Sequence, residues 1–246
     1  MNEQLDQVAT RGVFGAVVRT GDQAFLTSQI PSLGTKVRFK DGREFVFCSS
    51  ATTHAAGVLK GMAAASAELT GATGNVGAVG ATEITIMTGV VAAGLYDGGT
   101  IHMLDDTGEG YTYKIKHQAA GTVALGAKIT LYDPLIVAIA ADTDTVLVQS
   151  PFVNTIENTA TTIPVGVTLG TFTYAAATGP GYFWVQTKGA GTILMSGDSV
   201  IGVGLQAAAA GAAAKIEETT FGNRIGTALQ ASTNGHSAVW LNIGNV

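Results

Sequence analysis

The sequence predicts an all-β chain: antiparallel sandwich or barrel-like domains built from short strands and hairpins, with little helix. Three observations lead there. Apolar and polar residues alternate in one stretch after another, as in EITIMTGV, GYTYKIKH, AKITLYD, TVLVQS, GYFWVQT and SAVWLNI. Each stretch is bounded by Gly, Asp, Asn or Pro, the residues that turns favour. No segment keeps a convincing helical period. The best helical candidate, HAAGVLKGMAAASAELTG, is weakened by Gly57 and Gly61, each costing about 1 kcal/mol in a helix interior.

Taken in order, residues 1–33 read as an N-terminal arm and first strands. The arm proper, Met1 to Gly15, is amphipathic and broken by glycine, and is a candidate for reaching a neighbour. It carries Glu3 and Asp6 and no apolar run, so it is not expected to be a signal peptide. VRFKDGREFVFCS follows as a hairpin. Val37, Phe39, Phe45 and Phe47 are all odd-numbered and share a face only if the loop holds an odd number of residues. A three-residue loop of Lys40, Asp41 and Gly42, with Gly42 left-handed, pairs Val37 with Phe45 and Arg38 with Glu44. The other face then carries Lys36, Arg38, Lys40, Glu44 and Val46, and is predicted to lie at a subunit contact or an outer surface.

A second hairpin, GTIHMLDDTGEGYTYKI, repeats the odd parity in Ile101, Met103, Tyr113 and Ile115, with Asp106 to Gly110 in its turn. Each hairpin is followed by an AAG tripeptide, which suggests two hairpin-led units at 34–98 and 99–160. The remainder, 161–246, forms a C-terminal β domain with TTIPVGV, TFTYAA, GYFWVQT, TILMSG, SVIGVGL, AAKIEE, RIGTALQ and AVWLNI as its strands.

Composition narrows the function classes. Charged residues make up 13% of the chain, about half the roughly 25% usual for soluble domains. The surface must therefore be rich in Thr, Ser, Asn, Gly and Ala, which suits burial against other subunits. The net charge of −5 comes with no basic cluster of the kind nucleic acid demands, and no nucleic-acid partner is expected. Cys48 is the one cysteine, so no intrachain disulfide is possible, and it is expected to be a small apolar filler. ITIMTGVVAAGLY and SVIGVGLQAAAAGAAA fall short of the ~20 apolar residues of a membrane span, so a soluble protein without a membrane partner is expected.

No motif carries chemistry. Gly71, Gly74, Gly77 and Gly80 lack the spacing of a dinucleotide or phosphate loop and read as a glycine-rich loop or an irregular β edge. Asp105, Asp106 and Glu109, and likewise Asp142 and Asp144, fit turn chemistry better than a calcium loop. His54, His102, His117 and His236 are scattered, with none in a zinc arrangement; His117 falls on the apolar side of the second hairpin and reads as structural. No catalytic, cofactor or metal residues are assigned, and an enzyme is not expected. Trp184 and Trp240 sit in alternating strands, where tryptophan serves as a core or interface anchor, or stacks on a sugar. The candidate interface residues are Lys36, Arg38, Lys40, Arg43, Glu44 and Trp240.

The order of LGTKVRFKDGREFVFCSSATTHAAGVLKG, GGTIHMLDDTGEGYTYKIKH, ITLYDPLIVAI, PVGVTLG and GYFWVQTKGAG resembles that of tailed-bacteriophage virion structural proteins. The closing GDSVIGVGLQAAAAGAAAKIEE, NRIGTALQA and AVWLNI resemble the end of small capsid-decoration (cement) proteins. There a strand after a Gly-Asp turn, an alanine-glycine loop and a final G-x-A-L strand recur. The likeness runs from about Leu33 to Ile243, and DDTGEGYTYKIKH with TLYDPL downstream is its most specific part. It implies a protein made in the host cytoplasm and placed on the capsid exterior of the virion. Its partners there are the major capsid protein and further copies of itself, as a trimer or dimer. A tail or head-to-tail structural subunit and a glycan- or receptor-binding β module are the competing expectations. The major capsid protein itself is disfavoured, because no segment supplies a long spine helix.

Overall fold

The computed structural model describes residues 32–62, 66–69, 76–87, 90–122, 125–159, 162–174, 180–216 and 224–244. The N-terminal arm, Gly71 and Gly74 lie outside the described residues. The chain is all-β, with sixteen strands and no helix among the described residues. It divides into two units: one formed by the chain up to 63 together with 151 onward, the other by 64–150. This corrects the boundaries expected at 98/99 and 160/161. The two hairpins belong to different sheets, and the second lies in a unit inserted into the first.

The discontinuous unit is organised by β12 (Gly181–Ser199), a strand of 19 residues. The sequence suggests two strands here, GYFWVQT and TILMSG. They form one because Lys188 to Gly191 between them are paired residue by residue with β16 (Ser232–Asn242). The second half of β12 closes a ring with β14 (Ala213–Lys215), β13 (Gly204–Ala207), β15 (Arg224–Ala228) and β16, which returns to β12. Alternation along these strands turns Ile193, Met195, Leu205, Ile225, Val239 and Leu241 inward to one buried core.

The first half of β12 pairs with β2 (Glu44–Ser50) and β11 (Pro164–Thr168); β11 pairs with β3 (Leu59–Gly61), and β3 with β10 (Ile156–Glu157). β1 (Lys36–Arg38) covers the start of the outer edge of β2, and the main chain at 152–155 covers its end through Ser49 N–H to Phe152 O and Thr155 N–H to Ser49 O. Side chains also cover both faces of β2. Phe45 and Phe47 pack with Phe39 and Trp184, while Val46 and Cys48 pack with Val165, Phe183 and Val185. The hairpin register is Val37 opposite Phe45 and Arg38 opposite Glu44, with Gly42 at φ +86°, as the parity argument requires. The even face is charged and exposed at Lys36, Arg38 and Lys40, but Val46, opposite Lys36, is fully buried because it packs with Val165, Phe183 and Val185.

Residues 54–62 are not helical. His54 bridges Phe172, Gly57 turns at φ +70°, and β3 follows. Tertiary strand pairing overrides the alanine-rich composition. Phe172 makes that one bridge where TFTYAA suggests a strand.

The inserted unit is a six-stranded antiparallel sheet in the order β4 (Ser66–Leu69), β9 (Thr145–Val148), β6 (Thr100–Met103), β7 (Thr112–Gln118), β8 (Ala127–Leu131), β5 (Glu83–Ile86). Its core includes Ile84, Ile101, Met103, Tyr113, Ile115 and Leu147, so the odd residues of the second hairpin do face inward. Gly77 bridges Ile139 at an irregular edge. His117 corrects the expectation of an inward histidine. The β7–β8 register shifts between Ile115 and His117, which turns Gln118 in and His117 out to Asp97, Nδ1 to Oδ2 3.0 Å.

Among the described residues of the first unit, Lys60 carries an enclosed charge. Lys60 on β3 is 0% exposed and lies among Cys48, Ser50 and His54, its ammonium donating to Ser50 Oγ at 3.5 Å. Burial lowers the Lys60 pKa to about 8, against an opposing pull from Glu157. Burial, then the Lys60 charge, lowers the His54 pKa to about 4, and burial raises that of the Cys48 thiol. Cys48 thus sits as the small buried filler the sequence suggests.

Between pH 8 and 10.5 the unfolded chain holds the Lys60 proton and the folded chain does not, so stability should rise with pH across that window. Below it the full penalty applies. Lys60→Met is expected to stabilise at pH 7 by about 1–3 kcal/mol and to flatten this rise in urea denaturation; a clear loss of stability would show the buried ammonium to be a net favourable group. On the acid side, stability should fall as pH drops from 6.5 to 4, because the unfolded chain binds the His54 proton across that window and the folded chain does not; His54→Phe should remove that step.

Candidate interaction surface

The candidate residues all lie on the discontinuous unit, five on the first hairpin and Trp240 on β16. β1 and the turn after it present Lys36, Arg38 and Lys40 to solvent, Arg38 with its side chain 74% exposed. Glu44, at the start of β2, is mostly enclosed and bridges two cations: Arg38 Nε at 3.5 Å and Lys188 Nζ at 3.1 Å. Sequence reasoning misses Lys188. It joins the group only because β12 pairs with β2, with Lys188 opposite Glu44. Five cations, Lys36, Arg38, Lys40, Arg43 and Lys188, face two carboxylates, Asp41 and Glu44, in a chain whose net charge is −5.

Arg43 differs from the other cations. Its N–H groups hold Asp41, main chain to Oδ1 at 3.0 Å and Nε to Oδ2 at 2.7 Å, and these bonds keep the Asp41 carboxyl below its ordinary pKa. The guanidinium also lies 5.7 Å from the Phe39 ring centre and 5.8 Å from that of Phe45. Arg43 therefore fastens the hairpin tip to its own aromatic base, while Lys36, Arg38 and Lys40 remain presented outward.

The hairpin connects to Trp240 through β12. Gly189, at φ +86°, lies against Arg43 so closely that a Cβ there would meet Arg43 Cγ at 2.9 Å. The next residue, Ala190, is the cross-strand partner of Trp240. Trp240 projects from β16, 49% exposed, over a wall of small side chains: Ala190, Thr192, Ala238 and Thr227. Trp184, the other tryptophan considered for stacking, is 1% exposed and packs on Phe47 at 5.1 Å, so it is a core residue and stacks on no ligand.

Between Lys36, Glu44, Thr187 and Lys188 lies a depression of water size, floored by Val46 and Phe152. It is too small to hold a substrate. Among the described residues no group of three or more His, Cys, Asp or Glu side chains is placed to hold a metal ion. Asp105, Asp106 and Glu109 do meet Asp142 and Asp144 at one end of the inserted unit. There Asp105 Oδ1 accepts the Asp144 N–H at 3.0 Å, and the neighbouring carboxylates, Asp105 first, raise the Asp106 pKa. His102 is held between Thr100 and Thr112, both at 3.0 Å, and His236 contacts Ala56 O at 3.0 Å. No described helix is long and apolar enough to cross a membrane. No protein-family model, curated protein or solved structure matches the chain.

The two tryptophans should separate in stability measurements. Trp184→Ala is expected to cost about 3–5 kcal/mol in urea denaturation, and Trp240→Ala less than about 1 kcal/mol. Comparable losses would place Trp240 in the core of its own chain.

Proposed function

We propose that the chain is a capsid decoration (cement) protein of a tailed bacteriophage, binding the outer capsid surface as a homo-oligomer and strengthening contacts between capsomers. The observation that carries this reading is an exposed Trp240 and an exposed cationic hairpin on one unit, tied through β12, whose Lys188 lies opposite both Glu44 and Asn242. An exposed aromatic anchor with a charged border suits a protein surface better than a small substrate. The resemblance in segment order, from Leu33 to Ile243, supplies the class of that surface. A protein that binds the assembled shell stabilises it by RT ln(1 + [L]/Kd) per site, without any chemical step.

A second reading is favoured by one observation. Trp240 over a flat wall of Ala and Thr also suits stacking on a sugar ring, as in a glycan- or receptor-binding module.

The purified chain should bind expanded, mature-like shells and raise their rupture temperature, and Trp240→Ala combined with Arg38→Glu should weaken that binding at least about tenfold. Labels on intact particles should spread over the shell; confinement to one vertex would move the protein to the tail or head-to-tail region, and its absence from purified virions would end the virion reading. Glycan-array binding abolished by Trp240→Ala in a folded protein would favour the second reading.

A further inference from the structure

The formal charge is divided unevenly along the chain. Residues 64–150 carry three lysines and nine carboxylates, a charge of −6, so the remainder of the chain carries +1 of the total −5. Within each unit the charge is concentrated further. In the inserted unit, Asp105, Asp106 and Glu109 from the β6–β7 turn meet Asp142 and Asp144 from the segment leading into β9. Leu104 N–H to Asp144 O at 2.9 Å and Thr143 Oγ1 to Thr107 O at 3.1 Å hold the two segments together. Leu104 and Tyr111 are exposed on the same turn. In the discontinuous unit, Lys36, Arg38, Lys40 and Lys188 form the cationic face, with Trp240 reached through Gly189 and Ala190.

We infer that the cationic face of the first hairpin, with Trp240 at its border, is the docking surface for the acidic end of the inserted unit of a second copy of this chain. The two patches match in sign and in composition, since each sets a charged group beside exposed apolar side chains. The raised Asp106 pKa shows that its neighbours crowd that end with negative charge, which a cationic partner would relieve. Every copy offers both patches, which makes the contact heterologous: it closes into a ring where the rotation allows and propagates where it does not. The inference deepens the homo-oligomeric part of the proposed function, but it is tested on the chain alone, so a failure to bind shells leaves it standing and its own failure leaves shell binding open.

The test is sedimentation velocity of the full chain over a range of concentrations at about 50 mM and about 500 mM salt, with two charge-reversed variants checked for intact melting. One is Arg38→Glu with Lys40→Glu. The other is Glu109→Lys with Asp142→Lys, whose side chains hold no hydrogen bond of the turn among the described residues. Wild type should self-associate at low salt, and each variant alone should associate about tenfold more weakly or less. An equimolar mixture of the two should regain association, because the unaltered cationic hairpin of one meets the unaltered acidic end of the other and the two reversed patches also match in sign. A monomer at every concentration and salt overturns the inference. So does association that neither reversal affects, or association lost with the hairpin variant but kept with the acidic-end variant, which would assign the cationic face to a different acidic surface.

Discussion

The discontinuous unit rests on the main-chain pairing of one strand. β12 shares hydrogen bonds with β2 and β16 in succession and with β11 and β14, so a single backbone path belongs to both halves of the unit. Its side chains alternate between the Trp184 and Phe183 clusters in the first half and point Ile193 and Met195 into the barrel core in the second. Two glycines make this possible. A Cβ at Gly181 would meet the Phe172 ring at 2.2 Å, and Gly189 takes the positive φ at which β12 passes under Arg43.

That pairing decides what the surface can present. The hairpin is fixed to β12 through Glu44, which is opposite Lys188, and Trp240 is fixed through Ala190. Cationic and aromatic groups from segments some two hundred residues apart are held in one place by sheet register rather than by side-chain networks. Register admits little adjustment, because a slip of one residue would exchange Trp240 with the buried Val239 or Leu241. The few charges of the chain are thus set by the backbone, and individual surface ion pairs such as Arg38–Glu44 add little stability of their own.

Much of this was legible locally. Parity and turn chemistry gave the register of the first hairpin and the inward face of the second, because both depend on residues within one loop. His117 escaped the same parity argument because a bulge leaves no mark in an alternating pattern. The alanine-rich stretch from His54 misled because composition reports propensity, while strand pairing with β10 and β11 decides the outcome. GYFWVQT and TILMSG read as two strands and are one, because the residues between them pair with β16, and the two tryptophans sit in equally alternating stretches with opposite burial. Lys188 and the domain boundaries were hidden for the same reason: the contacts that define them join residues far apart in sequence. For the candidate surface, the hairpin cations and Trp240 could be read from the chain, but their proximity could not.

The inserted unit leaves the first at β3 and returns at β10, and those two strands pair with each other, while β4 and β9 pair at the root of the insertion. During synthesis the inserted sheet therefore has all its partners as soon as its own residues have emerged. Phe45, Phe47, Val46 and Cys48 do not: their covering strand, β12, is translated about 130 residues later, which at about 5–20 residues per second is a delay of many seconds. A nascent chain of this protein thus carries a completed inserted unit behind an aromatic strand that still lacks its partner β12. The length of that interval, rather than the final stability, sets its exposure to chaperones and to aggregation in the cell that makes it.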